Sequence, residues 1–293
     1  MNNINWYPGH MVGSERNIKK NLKIVDVILE IIDARIPISS RSEFLSKINT
    51  KPVILIMNKI DLADDNLTQS WIDYFKQNGN KALAVNNKQN INKNLIINSI
   101  NDVLQEKKIK YKSKGMINKL PKVIVVGVPN VGKSAFINNI LGSHKTKVEN
   151  RAGVTMKTGW FNLKNRLDIC DTPGILPPRM NPKFGNALAF LGLIKDKIFD
   201  KETIVFSLID FLKNNKFLKE FLVKINKNMD YSSEIIDDPP EIIIEKFGKS
   251  RQILKHGGKI DMIASCERFL NDFRKGKFGK ITLEFHDKYF MKY

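Results

Sequence analysis

The sequence predicts an α/β fold in which a mostly parallel sheet carries helices on both faces and a smaller, mainly helical region follows. Short β-branched apolar runs alternate with stretches of helical periodicity through the first half of the chain, which is typical of strand–helix–strand units. From about residue 181 onward, helical patterns replace this alternation. We therefore expect an α/β domain with an N-terminal arm over residues 1–180 and a helical domain over residues 181–293.

The first half of the chain supplies three predicted strands and two predicted helices. Residues 25–35 and 53–57 are apolar runs that are too short and too β-branched for helices, and residues 82–85 form a third short run. Residues 66–79 place apolar side chains at helical spacing and end on a glycine, and residues 94–108 have the same period. The alternation of these elements indicates a parallel sheet covered on both faces.

A basic linker leads into the second set of elements. Residues 107–122 are basic and weakly periodic, which is typical of a solvated connection. Residues 122–141 give a strand, a glycine-containing loop and a helix, and residues 158–174 contain two strand-like runs. Helical patterns then cover residues 186–199 and 265–275, with Pro- and Gly-containing turn signals between them.

Charge and cysteine content limit the environments that suit the chain. The 293 residues carry a formal charge of +19, which favours a polyanionic partner, with RNA or DNA preferred to an anionic membrane surface. A compositional bias toward Lys, Asn and Ile is the alternative explanation, but such a bias does not by itself leave acidic residues so far behind basic ones. The sequence contains no apolar run of about 18 residues, so a membrane span is not expected. The two cysteines, Cys170 and Cys266, are widely spaced, so reduced thiols in the cytoplasm are expected.

The sequence GVPNVGKS, residues 127–134, predicts a phosphate-binding loop between a strand and a helix. Its glycines let successive amide groups face phosphate oxygens, and the following helix adds the positive end of its dipole. Lys133 would place its charge on the β- and γ-phosphates, and Ser134 would offer a hydroxyl to magnesium. The predicted nucleotide contacts in this stretch are Asn130, Val131, Gly132, Lys133, Ser134 and Ala135.

The sequence NKID, comprising Asn58, Lys59, Ile60 and Asp61, predicts that the base is guanine. The Asp61 carboxylate can accept hydrogen bonds from N1–H and the exocyclic amine of guanine, a donor pair that adenine lacks. Asn58 would tie the base loop to the phosphate loop, and the Lys59 stem would pack on the purine face. The motif follows a predicted strand, where ligand contacts of such sheets lie. The expected ligands are GTP and GDP.

The sequence DTPGIL predicts a loop that senses the γ-phosphate. Asp171 would reach Mg²⁺ through water, and the amide of Gly174 would contact the γ-phosphate. Thr155 lies between the two phosphate motifs and is the candidate third metal ligand beside Ser134 and Asp171, with Thr158 as the alternative. A plain surface threonine is the other explanation for either position.

The motif order is permuted with respect to Ras-like chains, because the base motif precedes the phosphate loop. Joining the old termini and opening the chain elsewhere would preserve the same sheet. With NWYPGHM at the start, DARIP and SSR over residues 33–41, and GKFGKITLE over residues 276–284, the chain resembles the circularly permuted GTPases that assemble ribosomes, of the ribosome biogenesis GTPase A type. The fold implied is a circularly permuted Ras-like phosphate-loop GTPase domain followed by a helical domain.

The resemblance implies a partner and further contacts. Such proteins dock on the precursor of the large (50S) ribosomal subunit, contact its rRNA through the helical domain and leave after GTP hydrolysis. It also implies that Asn86 and Asn87 lie nearest the guanine, and that Asn130 helps to hold a monovalent cation such as K⁺; a loop-stabilising role for Asn130 is the alternative. We expect a cytoplasmic monomer without stable membrane association, whose slow hydrolysis the large subunit stimulates.

The residue that would position the attacking water is not at its usual place. In Ras-type enzymes a Gln after the switch glycine does this, whereas here Ile175 follows Gly174. His10 in WYPGHM is the candidate for this catalytic role beside Lys133, because an imidazole can donate or accept near neutral pH. His144 is the weaker candidate, and the RNA partner could instead complete the site.

Two other functions fit parts of the sequence. Ile175 slightly favours a GTP-controlled RNA-binding scaffold with little hydrolysis, whereas the intact Lys133, Ser134 and Asp171 favour an enzyme. A membrane-peripheral or translational GTPase would explain the charge, but the chain has neither a lipidation motif nor the β-barrel pattern of translation factors. Several basic residues of the helical region could contact RNA phosphates, although a solvated face is the plainer explanation for each: Lys249, Arg251, Lys255, Arg268, Arg274, Lys275 and Lys277.

Overall fold

The computed structural model describes residues 10–42, 45, 51–105, 109, 120–142, 159–176, 182–219, 222 and 237–286. Six strands form one sheet: β1 (Val27–Asp33), β2 (Val53–Asn58), β3 (Lys81–Val85), β4 (Lys122–Val126), β5 (Gly159–Leu163) and β6 (Leu167–Asp171). Four helices accompany the sheet: α1 (His10–Leu22), α2 (Asp65–Gln77), α3 (Lys93–Val103) and α4 (Lys133–Leu141).

Four further helices have described bounds in the C-terminal region. They are α5 (Pro182–Phe190), α6 (Lys201–Asn214), α7 (Pro240–Ser250) and α8 (Met262–Arg274), with a short 3₁₀ turn over Asp196–Ile198. The predicted α/β class with a helical C-terminal part is confirmed. The division into domains at residue 180 stays a prediction, since residues 177–181 lie outside the described ranges.

The sheet has the strand order β3-β2-β1-β4-β6-β5. All neighbours are parallel except β5 and β6, which pair antiparallel through a short turn. Five strands therefore end at the same edge of the sheet. The loops after β1, β2, β3, β4 and β6 meet there, which is where sheets of this kind place ligands.

The faces of the sheet are buried by alternate residues of each strand. In β1, Val27, Leu29 and Ile31 pack in one cluster with α3, α4 and the C-terminal helices, whereas Ile28 and Ile32 face the side covered by α1 and α2. Burial of both faces explains why β1 is almost continuously apolar. The first of these clusters extends without a break from the sheet into α6, α7 and α8.

The helical pattern over residues 186–199 does not form one helix. Helix α5 ends at Phe190, and Gly192 adopts a left-handed φ of +69° in the turn that follows. The amide of Leu193 then donates to the carbonyl of Leu188, at 2.9 Å, which closes the helix end. The prediction of a helix through residue 199 was wrong because a glycine with positive φ ends the helix within an otherwise periodic apolar run.

The last described segment returns to the α/β part. Ile281 donates its amide to the carbonyl of Leu62, and Leu283 donates to the carbonyl of Arg35. The buried indole of Trp71 in α2 donates to the carbonyl of Glu284 at 3.0 Å. These contacts join residues more than 200 positions apart, so the base loop between β2 and α2 is braced by the end of the described chain.

Among the described residues, none of the helices is long and apolar enough to cross a membrane. Cys170 in β6 and Cys266 in α8 are both free and fully buried, in agreement with the predicted reduced thiols. Burial raises the pKa of each thiol to about 12.

We expect both thiols to resist alkylation in the native protein. Only a thiolate attacks such reagents, and a pKa near 12 leaves about one thiol in ten thousand ionised at pH 8. Labelling followed by mass determination should give no adduct within minutes for the folded protein and two adducts in guanidinium chloride. Fast labelling of either cysteine without denaturant would contradict the burial.

Candidate nucleotide-binding site

The loop after β4 curls tightly because its glycines admit close neighbours. A Cβ on Gly132 would lie 2.4 Å from Nδ2 of Asn58, and Gly132 has a φ of +105°. A Cβ on Gly127 would lie 2.5 Å from the carbonyl oxygen of Ile31. Asn130 between them also has a positive φ, +54°. Helix α4 starts at Lys133 directly after this loop, so its amide groups and dipole face the concave side, as the sequence predicts.

The side chain of Lys133 is buried against the backbone of the phosphate loop. Its ammonium group donates to the carbonyls of Gly127 at 3.1 Å and Val128 at 2.9 Å. Burial lowers the pKa of Lys133 to about 8, with the nearby carboxylate of Asp171 opposing the shift. A phosphate would add a second negative partner, which would favour the charged form of this lysine.

Ser134 and Asp171 come together as the sequence predicts. The Ser134 hydroxyl donates to Oδ2 of Asp171 at 3.2 Å, and Asp171 is buried at the end of β6. Its other oxygen, Oδ1, is buried without a hydrogen-bond partner, and burial raises the pKa of this carboxyl. A hydroxyl and an unsatisfied carboxylate oxygen beside a phosphate loop suit Mg²⁺, which prefers oxygen ligands. Both residues therefore fit the predicted metal role, with GTP phosphates as the remaining ligands.

The loop after β6 is pressed against the phosphate loop. A Cβ on Gly174 would lie 2.7 Å from the backbone of Pro129, so only glycine fits there. The amide of Ile175 donates to the carbonyl of Gly127 at 3.3 Å. The side chain of Ile175 is 3% exposed and packs with Ile18 and Leu22 of α1. Ile175 therefore contributes to the core and leaves the task of positioning water to another group.

The base loop is joined to the phosphate loop by Asn58. Its Nδ2 donates to the carbonyl of Val131 at 2.7 Å, as predicted, and its Oδ1 is buried without a hydrogen-bond partner. Lys59 has a φ of +64°, which turns the chain sharply after β2. Asp61 pairs with the exposed ammonium group of Lys88 at 2.7 Å. Such a solvated pair is weak, so a base could replace Lys88 at low cost.

Asn87, after β3, contacts the same loop from the other side. Its Nδ2 donates to the carbonyl of Gly132 at 3.1 Å, and Asn139 in α4 donates to the carbonyl of Asn87. Asn86 instead accepts from the amide of Lys88, which shapes the turn. The two predicted base contacts thus have visible roles in holding the loops. Oδ1 of Asn87 is buried without a hydrogen-bond partner, and its contact with the guanine stays a prediction.

A buried ionic cluster behind the base loop is a feature that sequence reasoning missed. The fully buried carboxylate of Asp33 receives two hydrogen bonds from the Arg35 guanidinium, at 3.0 and 2.9 Å, and pairs with Lys59 Nζ at 3.0 Å. Burial alone would raise the pKa of Asp33, but Arg35 and Lys59 outweigh it and hold the pKa well below its usual range. The DARIP motif that carries the family resemblance contains both Asp33 and Arg35.

Glu284 completes the support of the loop after β1. Its carboxylate accepts from the amides of Ile38, at 2.6 Å, and Ser39, and from the Ser39 hydroxyl. Burial raises the pKa of Glu284 against these hydrogen bonds. Only the family-like GKFGKITLE stretch marked this residue in the sequence.

Several predicted residues lie outside what the structure describes. Thr155, Thr158 and His144 fall in residues 143–158, so their predicted roles stay predictions. His10 is the first residue of α1, but its side chain is not among those described. Ile60 is half-buried beside the α2 cluster, Val131 is fully buried, and Ala135 is half-buried in the first turn of α4.

The basic residues proposed for RNA contact divide into two groups. Six of them are exposed: Lys249, Arg251, Lys255, Arg268, Lys275 and Lys277. Arg274 is the exception, because its guanidinium pairs with Asp196 and donates to the carbonyls of Ala189 and Phe190. Its side chain is only 15% exposed, so Arg274 does not lie on the solvated face that was the plainer explanation, and its guanidinium is held by protein acceptors.

Comparison with known proteins agrees with this geometry. Residues 122–246 match a family described as 50S ribosome-binding GTPase. A Bacillus cereus protein named Ribosome biogenesis GTPase A is 35% identical over 286 residues, which cover 96% of this chain and 93% of that protein. A Thermotoga maritima protein of the same name is 28% identical, with coverages of 96% and 94%.

Solved structures of YlqF proteins are similar to this chain over most of its length. A GDP-bound structure of TM YlqF has a TM-score of 0.62 at 26% identity and covers 93% of this chain and 100% of its own. A crystal structure of GNP-bound YlqF from T. maritima has a TM-score of 0.59 at 25% identity, with coverages of 93% and 97%. The similarity therefore includes both the sheet and the C-terminal helices.

The substitution Gly132→Ala should weaken guanine nucleotide binding by roughly tenfold or more, because it adds backbone strain and displaces the Asn58 amide. Titration with a fluorescent GDP analogue measures the effect. Gly79→Ala is the matched control, since Gly79 has a φ of +75° but open space around it. Equal affinities for the two variants would contradict the coupling of the loops.

Proposed function

Because this chain belongs to the ribosome biogenesis GTPase A family, whose members hydrolyse GTP, we propose that it times a step in assembly of the large (50S) ribosomal subunit. It would dock on the rRNA of the subunit precursor in the GTP state and leave after hydrolysis. The fold is the circularly permuted GTPase fold that the motif order predicts. The observation that carries the proposal is the meeting of Lys133, Ser134 and Asp171 with the Asn58–Asp61 loop at one sheet edge.

The phosphate side of the site supports hydrolysis by positioning and charge. Lys133 would bind the β- and γ-phosphates, and the amide of Gly174 would contact the γ-phosphate. Ser134, Asp171 and Thr155 would hold Mg²⁺, which when bound neutralises charge on the β- and γ-oxygens. Asn130 would add K⁺ near the same oxygens, where a cation offsets developing charge.

Positioning of the attacking water is assigned to His10. Ile175 is committed to the core, so the imidazole at the start of α1 is the proposed substitute for the usual glutamine. Helix α1 is anchored at its other end, where Ile18 and Leu22 pack against Ile175 itself. Docking on RNA would then set the orientation of the arm and complete the site.

The proposed partner follows from charge and family together. The net charge of +19 suits RNA. The proposed phosphate contacts are six exposed basic residues of the C-terminal region, of which Arg268 and Lys277 share the carboxylate of Asp272: Lys249, Arg251, Lys255, Arg268, Lys275 and Lys277. We place the protein in the cytoplasm as a monomer, consistent with its two free, buried thiols. A GTP-controlled RNA-binding scaffold remains the second candidate, favoured by the burial of Ile175.

Turnover at saturating GTP, with and without purified large ribosomal subunits, tests the proposal in K⁺ and in Na⁺. We expect the subunits to stimulate the wild-type protein strongly. His10→Ala should lower the stimulated rate by roughly 100-fold with GTP binding intact, since a positioned acid or base contributes about that much. His256→Ala, at an exposed histidine far along the chain, is the control. A rate that ignores the subunits would favour the scaffold, and an unchanged His10→Ala rate would remove His10 from the mechanism.

Base recognition has its own test. Asp61→Asn should weaken GTP binding by about 100-fold or more, because an amide N–H would face the donors of guanine. The same variant should gain affinity for xanthosine triphosphate, which has a carbonyl where guanine has its amine. Asp65→Asn removes an exposed carboxylate nearby in α2 and should leave both affinities unchanged. An Asp61→Asn protein that still preferred GTP would exclude Asp61 as the base reader.

A further inference from the structure

A hydrogen bond joins the turn after α5 to the phosphate loop. Nδ2 of Asn130 donates to the carbonyl of Gly192 at 2.9 Å. Gly192 lies in the left-handed turn after α5, and its amide donates back to the carbonyl of Ala189. Because the side-chain nitrogen of Asn130 donates to the Gly192 carbonyl, the side-chain oxygen of Asn130 is left for a further ligand. An oxygen is the atom that a cation beside the phosphates requires.

Arg274 fixes the turn that makes this contact. Its guanidinium donates to the carbonyls of Ala189, at 2.7 Å, and Phe190, at 3.2 Å, and forms a two-pronged pair with Asp196 at 3.0 and 2.9 Å. Both carbonyls belong to the last turn of α5, and that of Ala189 also accepts from the amide of Gly192 at 3.1 Å. The guanidinium also lies within 3.1 Å of the position that a Cβ on Gly192 would take. The guanidinium group of Arg274 therefore fixes the position of the turn that carries the Gly192 carbonyl.

The backbone of Arg274 contacts the base side of the site. Nη1 of Arg35 donates to the carbonyl of Arg274 at 3.3 Å. Arg35 also holds Asp33, which pairs with Lys59 in the base loop. Arg274, at the end of α8, is thus hydrogen-bonded both to the turn that contacts the phosphate loop and to Arg35 behind the base loop. In the sequence it lies more than 80 residues from every other member of this network except Asp196.

We propose that Arg274 is a positioning residue for GTP hydrolysis, acting through Gly192 on the Asn130 side chain. Its role is to keep the Asn130 amide in the orientation that presents oxygen at the phosphate loop. This inference rests on the proposed function, because it requires that GTP be hydrolysed at this loop. It also explains why an arginine in a strongly basic region is turned inward and paired.

The test compares steady-state GTP turnover of the full chain carrying Arg274→Ala, Asn130→Ala and both together. Arg274→Ala should lower kcat roughly 3- to 30-fold, the range for residues that act through a contact network, with a smaller change in KM. The double variant should lose no more than Asn130→Ala alone, because both substitutions remove the same contact. Arg274→Lys keeps the charge but lacks the fork, so it should fall between the wild type and Arg274→Ala.

Two controls separate positioning from folding. Lys246→Ala removes a cation of α7 that pairs with Asp238 and is not among the proposed RNA contacts, and it should leave kcat unchanged. If Arg274→Ala does not fold, as judged by thermal unfolding, Asp196→Ala loosens the same guanidinium from its partly exposed side and should lower kcat in the same direction. An Arg274→Ala effect that adds in full to that of Asn130→Ala would overturn the proposal, as would equal rates for Arg274→Ala and Lys246→Ala. A wild-type protein without turnover would instead contradict the proposed function itself.

Discussion

The buried carboxylate of Asp33 fixes the relative position of the loops that would bind the base. A buried charge raises the free energy of the folded state unless opposite charges and hydrogen bonds compensate it. Here Arg35 and Lys59 together compensate the carboxylate of Asp33. The Arg35 side chain turns back to Asp33, two residues earlier, and Lys59 leaves β2 with a left-handed φ. These two features fix the start of the base loop without any contribution from a ligand.

The two nucleotide loops are held by side-chain amides rather than by one continuous element. Asn58 and Asn87 donate to consecutive carbonyls of the phosphate loop, those of Val131 and Gly132. Each amide thereby keeps a buried oxygen without a partner. Buried polar atoms left in this state raise the free energy of the site, which a ligand with suitable donors would lower.

Much of this arrangement is predictable from local sequence. The apolar runs gave the positions of the strands within a few residues, and the spacing of Gly132, Lys133 and Ser134 located the phosphate loop. The ending of α5 was not predictable from periodicity, because it depends on one glycine within an apolar run. The inward role of Arg274 and the burial of Ile175 depend on partners far along the chain, to which composition and spacing give no guide.

The bracing of the base loop by residues 281–286 has a consequence for synthesis of the chain. The strands that carry both nucleotide loops leave the ribosome long before Thr282, Leu283 and Glu284 do, and contacts of such sequence separation form late. A nascent chain therefore possesses the complete set of nucleotide motifs while their supports are still missing. The base loop therefore gains its hydrogen bonds to residues 281–284 only after nearly the whole chain has been made.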